Sequence, residues 1–122
     1  MRYNLFFRQH LIATVEETHS EFPSCFGRYQ LEPIVDVPEL AHVRAYIDYC
    51  LRVSPLTEQE RFDDPAFAEE QNYIDLIESP DWSLVETKTH QRTPILIPLF
   101  FTDGVTWRPN FHYPDIKTHE TA

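Results

Sequence analysis

The chain has 122 residues, a net charge of −10, 42% hydrophobic and 14% aromatic residues, two cysteines and two glycines. That is apolar material for one packed domain rather than a disordered chain, and its acidity argues against nucleic acid or an anionic membrane as direct partner. Two cysteines imply no disulfide framework, and two glycines cannot build a phosphate-cradling loop or a dinucleotide fingerprint.

Before Arg8 the only continuous apolar stretch is Leu5-Phe6-Phe7, too short for a signal peptide or a membrane span, so a cytoplasmic location is expected. Tyr3, Leu5 and Phe7, then Leu11, Ala13 and Val15, alternate with their neighbours and predict two strands joined through Gln9-His10. Residues 26–31 form a third predicted strand, in which Gly27 marks a bulge or a close backbone approach. Pro33 and Pro38 bracket an extended connector. Asp36 is the expected N-cap of the first helix, with Glu39 completing a capping box and Val35 stapling onto Leu40. Leu40, Val43, Tyr46, Ile47, Cys50, Leu51 and Val53 fall on one arc of roughly 160°. Arg44, Asp48 and Arg52 recur at i, i+4 and i+8 on the opposite side. Ser54-Pro55 is expected to end this helix.

Thr57 and Glu60 have the spacing of a second capping box, and Asp64 is a fresh N-cap with Pro65 in the tolerated first turn. The kinked helical segment that follows carries Ala66, Phe67, Tyr73, Ile74 and Ile77 on one face. Residues 82–87 predict a strand and 88–92 a polar turn. The run 93–107 is apolar at odd and even positions, which predicts a central strand covered on both faces. Asp103-Gly104 reads as a two-residue hairpin turn that would set Phe100 opposite Trp107. Pro98 has no N–H to donate, so it predicts a bulge or an unpaired edge. The expected fold is therefore one α+β domain over residues 1–114, in the order β-β-β-α-α-β-β-β, with a frayed tail at 115–122. An antiparallel sheet of about six strands packs against two helical segments, with both sheet faces covered, in part by another subunit.

Catalytic signatures are weak. The histidines at 10, 19, 42, 90, 112 and 119 lack metal-ligand spacing, so neither a metal nor another cofactor is expected. Cys25 has no nucleophile signature around it, and Cys50 belongs to the apolar helix face. Asp63-Asp64 and Glu69-Glu70 are sequence neighbours that diverge by about 100° on a helix, so they do not make an acid–base pair. Trp82, Phe100, Phe101, Trp107, Phe111 and Tyr113 are either core or the wall of an aromatic pocket.

Charge is the stronger signal. Between Glu58 and Glu86 there are ten acids and one base, Arg61, a net of −9. Either this is a helical face kept soluble by charge, or it meets a strongly basic partner whose approach it speeds.

Gly27-Arg28-Tyr29, Asp75-Leu76-Ile77-Glu78, Trp82-x-Leu84-Val85, Ile95-x-Ile97-Pro98 and Trp107-Arg108-x-Asn110 together resemble small uncharacterised bacterial proteins. In size, acidity and α+β make-up these are similar to immunity proteins encoded beside secreted toxins. The resemblance implies a non-enzymatic immunity or inhibitor protein that binds a basic toxin such as a nuclease. Asp63, Asp64, Glu69, Glu70, Asp75 and Glu78 are the candidate contact residues. A small-molecule-binding protein or enzyme with a pocket near Trp82 and Trp107, and a structural homo-oligomer, are the competing expectations.

Overall fold

The structure, a computed structural model, describes residues 1–21, 23–33 and 37–110. Three strands, β1 (Arg2–Phe7), β2 (His10–Glu21) and β3 (Ser24–Leu31), lead into helix α1 (Pro38–Glu58). A 3-10 helix (Pro65–Tyr73) and the short α2 (Ile74–Ile77) follow, and then β4 (Trp82–Glu86), β5 (Arg92–Phe101) and β6 (Gly104–Pro109). This is the expected α+β order with six antiparallel strands. The sheet, however, closes on itself as a barrel in the order β1-β2-β3-β6-β5-β4, with β4 returning to β1.

Three register shifts accompany closure: at Leu5/Phe6 in β1, at Glu17/His19 in β2 and at Leu96/Leu99 in β5. Each bulge bends its strand and adds twist, the means by which a sheet of this width curls.

Leu5, Phe7, Val15, Trp82, Leu84, Ile95, Phe100, Val105 and Trp107 are buried in one core. Helix α1 adds Leu40, Val43, Tyr46, Ile47, Tyr49, Cys50 and Val53 to it. The Trp82 ring meets Phe7 edge-on at 5.0 Å, and the Tyr46 ring lies 6.5 Å from both Trp82 and Phe100. Tyr46 O–H donates to the Pro98 carbonyl at 2.7 Å, tying the middle of α1 to β5.

That contact explains Pro98. It sits at a bulge, not at an edge, and Ile97 beside it adopts φ = +54°. A β-branched residue in the left-handed region costs on the order of 1–3 kcal/mol, and burial of Pro98 together with the Tyr46 hydrogen bond offsets it. The two-sided apolar pattern of β5 therefore does not mean two-sided burial. Ile95, Pro98 and Phe100 are buried, whereas Leu96, Ile97, Leu99 and Phe101 are half-buried.

Several local expectations are corrected. The β1–β2 link is Arg8-Gln9, because Phe7 pairs with His10. Arg8 takes φ = +56°, held there by its N–H to the Asp81 carbonyl at 2.8 Å and its guanidinium to Glu39 and Asp81 at 2.7 and 3.1 Å. The β5–β6 turn is Thr102-Asp103, one residue earlier than expected, so Phe100 faces Val105 and not Trp107. Gly104 does not supply the left-handed turn residue. It lies in the strand, where a Cβ would sit 2.8 Å from the Gly27 carbonyl oxygen.

Neither capping box forms as expected. The N-cap of α1 is Val37, and Glu39 turns its carboxylate to Arg8 and His10. Asp36 and Val35 lie outside the described residues, as does the tail at 115–122. Helix α1 runs through Pro55 to Glu58, so Thr57 is in its last turn and its hydroxyl donates back to the Val53 carbonyl at 3.2 Å. Among the described residues no helix is long and apolar enough to cross a membrane.

Candidate functional site: an acidic helical layer

Asp64 caps the 3-10 helix as expected, accepting from Ala66 N–H at 3.0 Å, with Pro65 at the first helical position. From there the chain runs back along α1 and is pinned to it at two points. Arg52 makes a two-pronged contact with Glu69 at 2.7 and 3.2 Å, and His42 pairs with Asp75 at 3.0 Å. Tyr73 is buried beneath this layer, its ring 5.7 Å from Tyr46 and 5.3 Å from Tyr49. Leu76 is buried too, and its carbonyl accepts the Trp82 indole N–H at 2.8 Å. Of the expected apolar face, Ile74 is instead 40% exposed.

The six candidate carboxylates thus share one layer but fall into two sets. Asp64, Glu69 and Asp75 are tied to Arg61, Arg52 and His42. Asp63, Glu70 and Glu78 are exposed and have no cationic partner among the described residues. The hydrogen bonds from Arg52 hold the Glu69 carboxyl below its ordinary range, and the bond from His42 does the same for Asp75. Burial, followed by the nearby Glu70 charge, pushes the Tyr49 phenol up to about 12. Its hydroxyl is buried and, among the described residues, has no hydrogen-bond partner.

Phe62 is 62% exposed at the start of this layer, with the Phe67 ring 6.0 Å away and Asp63 next in sequence. It lies outside the apolar pattern of the helices. Its only sequence signal is an aromatic residue standing between Arg61 and Asp63.

The other candidates resolve differently. Trp82 lines a surface hollow with Arg8, Asp81 and Arg92, whereas Trp107 lines a separate one with Phe26, Ile97 and Leu99. The two indoles do not share a pocket, and Phe111 and Tyr113 lie outside the described residues. Burial and then the Glu17 carboxylate raise the Cys25 thiol pKa, the opposite of what activates a nucleophile. Cys50 is buried in the core. His10 pairs with Glu39, His19 stacks on Phe26 and His42 pairs with Asp75. Among the described residues no three His, Cys, Asp or Glu side chains are grouped as metal ligands.

A pH dependence follows from the pinning pairs. Glu39, Glu69 and Asp75 all have folded-state pKa values depressed by side-chain hydrogen bonds, from Arg8 and His10, from Arg52 and from His42. Depressed carboxylates stabilise the fold above their unfolded pKa and lose that contribution as pH falls through the folded value. Urea midpoints should therefore drop between about pH 5 and 3, and E39Q/E69Q/D75N should show a shallower acid limb. An unchanged limb would place the acid sensitivity elsewhere.

No protein-family model, curated protein or solved structure matches the chain.

Proposed function

We propose that the protein is a non-enzymatic binding module of the immunity or inhibitor type, acting in the cytoplasm, whose acidic helical layer covers a basic protein such as a toxin. One observation carries this reading: an exposed aromatic, Phe62, stands on a layer whose Asp63, Glu70 and Glu78 carboxylates have no cationic partner among the described residues. Uncompensated like charge repels itself, and a cationic surface would relieve that repulsion and speed encounter. An exposed aromatic among such charges supplies the desolvated anchor that interface energetics favour. The immunity-type assignment rests on the resemblance in size, acidity and α+β make-up.

The layer also separates contact groups from structural ones. Reversing Glu69 or Asp75 would break the pins to α1, so the informative variant is D63K/E70K/E78K. With the partner captured at low salt and purified, this variant should slow association about 10- to 100-fold and flatten its salt dependence. Phe62→Ala should mainly speed dissociation. Unchanged low-salt association in the triple variant would refute the acidic-layer reading. A metabolite that raises stability by about 2.7 kcal/mol at 100 times its dissociation constant would favour a ligand-binding protein instead.

A further inference from the structure

The segment from Arg61 to Glu78, which carries the acidic layer, lies against α1 in a winding that its own sequence does not favour. Its 3-10 stretch, Pro65–Tyr73, is nine residues long, whereas 3-10 runs beyond three or four residues are uncommon. Ala66, Ala68, Glu69, Glu70 and Gln71 are good α-helix formers, so local preference and observed winding disagree. The two pins account for the disagreement. Arg52 and His42 stand ten residues apart on α1, about 15 Å, and their partners Glu69 and Asp75 are six residues apart. Six residues span about 12 Å at the 3-10 rise but only about 9 Å as α-helix. The longer winding brings both carboxylates to their partners.

Closure also leaves a fault beneath the segment. Tyr49 is 3% exposed, and its hydroxyl has no hydrogen-bond partner among the described residues. The ring of Tyr73, which belongs to the segment, lies 5.3 Å from the Tyr49 ring. A buried orphan hydroxyl destabilises the state that buries it, which here is the closed one. The pins stand in solvent, where such pairs contribute little. The apolar hold is narrow, because Tyr73 and Leu76 are the buried residues of the segment. Just ahead of it Glu60 takes φ = +57° at the end of α1, a position usually given to glycine.

We infer that residues 61–78 form a strained strap that opens as one unit, between Glu60 and Ser79, while α1 and the barrel stay folded. Opening hydrates the Tyr49 hydroxyl. It also bares the flank of α1 between His42 and Arg52, a surface that the closed strap hides. The inference does not depend on the proposed toxin partner.

Amide hydrogen exchange of the full chain, followed residue by residue by NMR, tests it. Strap amides from Phe67 to Ile77 should exchange at least about tenfold faster than the slowest amides of β1, β2 and α1. Tyr49→Phe removes the orphan hydroxyl and should slow strap exchange about threefold or more. Gly27→Ala, whose clash lies where β2, β3 and β6 meet, should speed the slowest barrel amides at least about fivefold and leave strap amides within about twofold. Circular dichroism should show both variants folded. Strap amides that match the slowest barrel amides, or that follow them in Gly27→Ala, overturn the inference. Strap exchange unchanged or faster in Tyr49→Phe overturns it as well, because the hydroxyl would then be satisfied in the closed state.

Discussion

Trp82→Ala is expected to lower the unfolding free energy by about 3–5 kcal/mol, as read from urea denaturation followed by circular dichroism. Trp82 is fully buried, where β4 meets β1, Phe7 packs edge-on against it, and Tyr46 approaches it from α1. Truncation removes the largest fully buried side chain and opens a cavity between barrel and helix, neither of which can collapse freely. It also removes one of the two donors to the Leu76 carbonyl, which accepts the indole N–H at 2.8 Å and the Ser79 N–H at 3.2 Å. Against a total stability of roughly 5–15 kcal/mol for a domain, that is a large fraction. Trp82→Phe separates the two causes: it keeps most of the burial, so a loss of about 0.5–1.5 kcal/mol would report the missing indole hydrogen bond. A loss below about 1.5 kcal/mol for Trp82→Ala would mean that barrel and helix are not packed around this ring.

Gly27→Ala is expected to destabilise by about 1–3 kcal/mol despite adding a single methyl group. A Cβ at this position would lie 2.7 Å from the Glu16 carbonyl oxygen, 3.1 Å from Val15 Cγ1 and 3.2 Å from the Trp107 ring. The first contact is backbone of the neighbouring strand, so relief means opening the β2–β3 ladder next to its bulge at Glu17/His19. Alanine's smaller unfolded-state entropy favours the variant by only about 0.4–1 kcal/mol, so the clash wins. Gly104→Ala meets one close backbone oxygen, that of Gly27, and should cost less. If the two substitutions were equally harmless, the close approach of β2, β3 and β6 would be wrong.

What was legible in the sequence is what short-range periodicity records. The alternation in β1 and most of the helical arc from Leu40 to Val53 placed inward side chains correctly, because period decides which side chains share a side. In β2, however, Leu11 is exposed and Ile12 buried, and in α1 Tyr49 is buried outside the expected arc. Local chemistry was read well where it had no competitor, as at the Asp64 cap with Pro65. It failed where a residue had a better distant partner. Glu39 gives up its capping role for Arg8 and His10, which belong to the β1–β2 hairpin. Gly104 is drawn from the turn into the strand by the approach of Gly27. Pro55 does not stop α1 although proline disfavours a helix interior, and Ser54 beside it is buried and accepts the Thr102 N–H at 3.1 Å.

The candidate site divides along the same line. The charge between Glu58 and Glu86 needed only counting. Which carboxylates are spent on holding the layer to α1 depends on Arg52 and His42, and the exposure of Phe62 on how the 3-10 helix sits. By itself, then, the sequence determined the order of elements, most of their buried faces and the place of the acidic charge. Only the tertiary structure decided that the sheet closes, that Pro98 is a bulge held by Tyr46, and which carboxylates remain available to a partner. Closure, strain and ion pairing join residues far apart in the chain, and no local pattern encodes which distant group arrives.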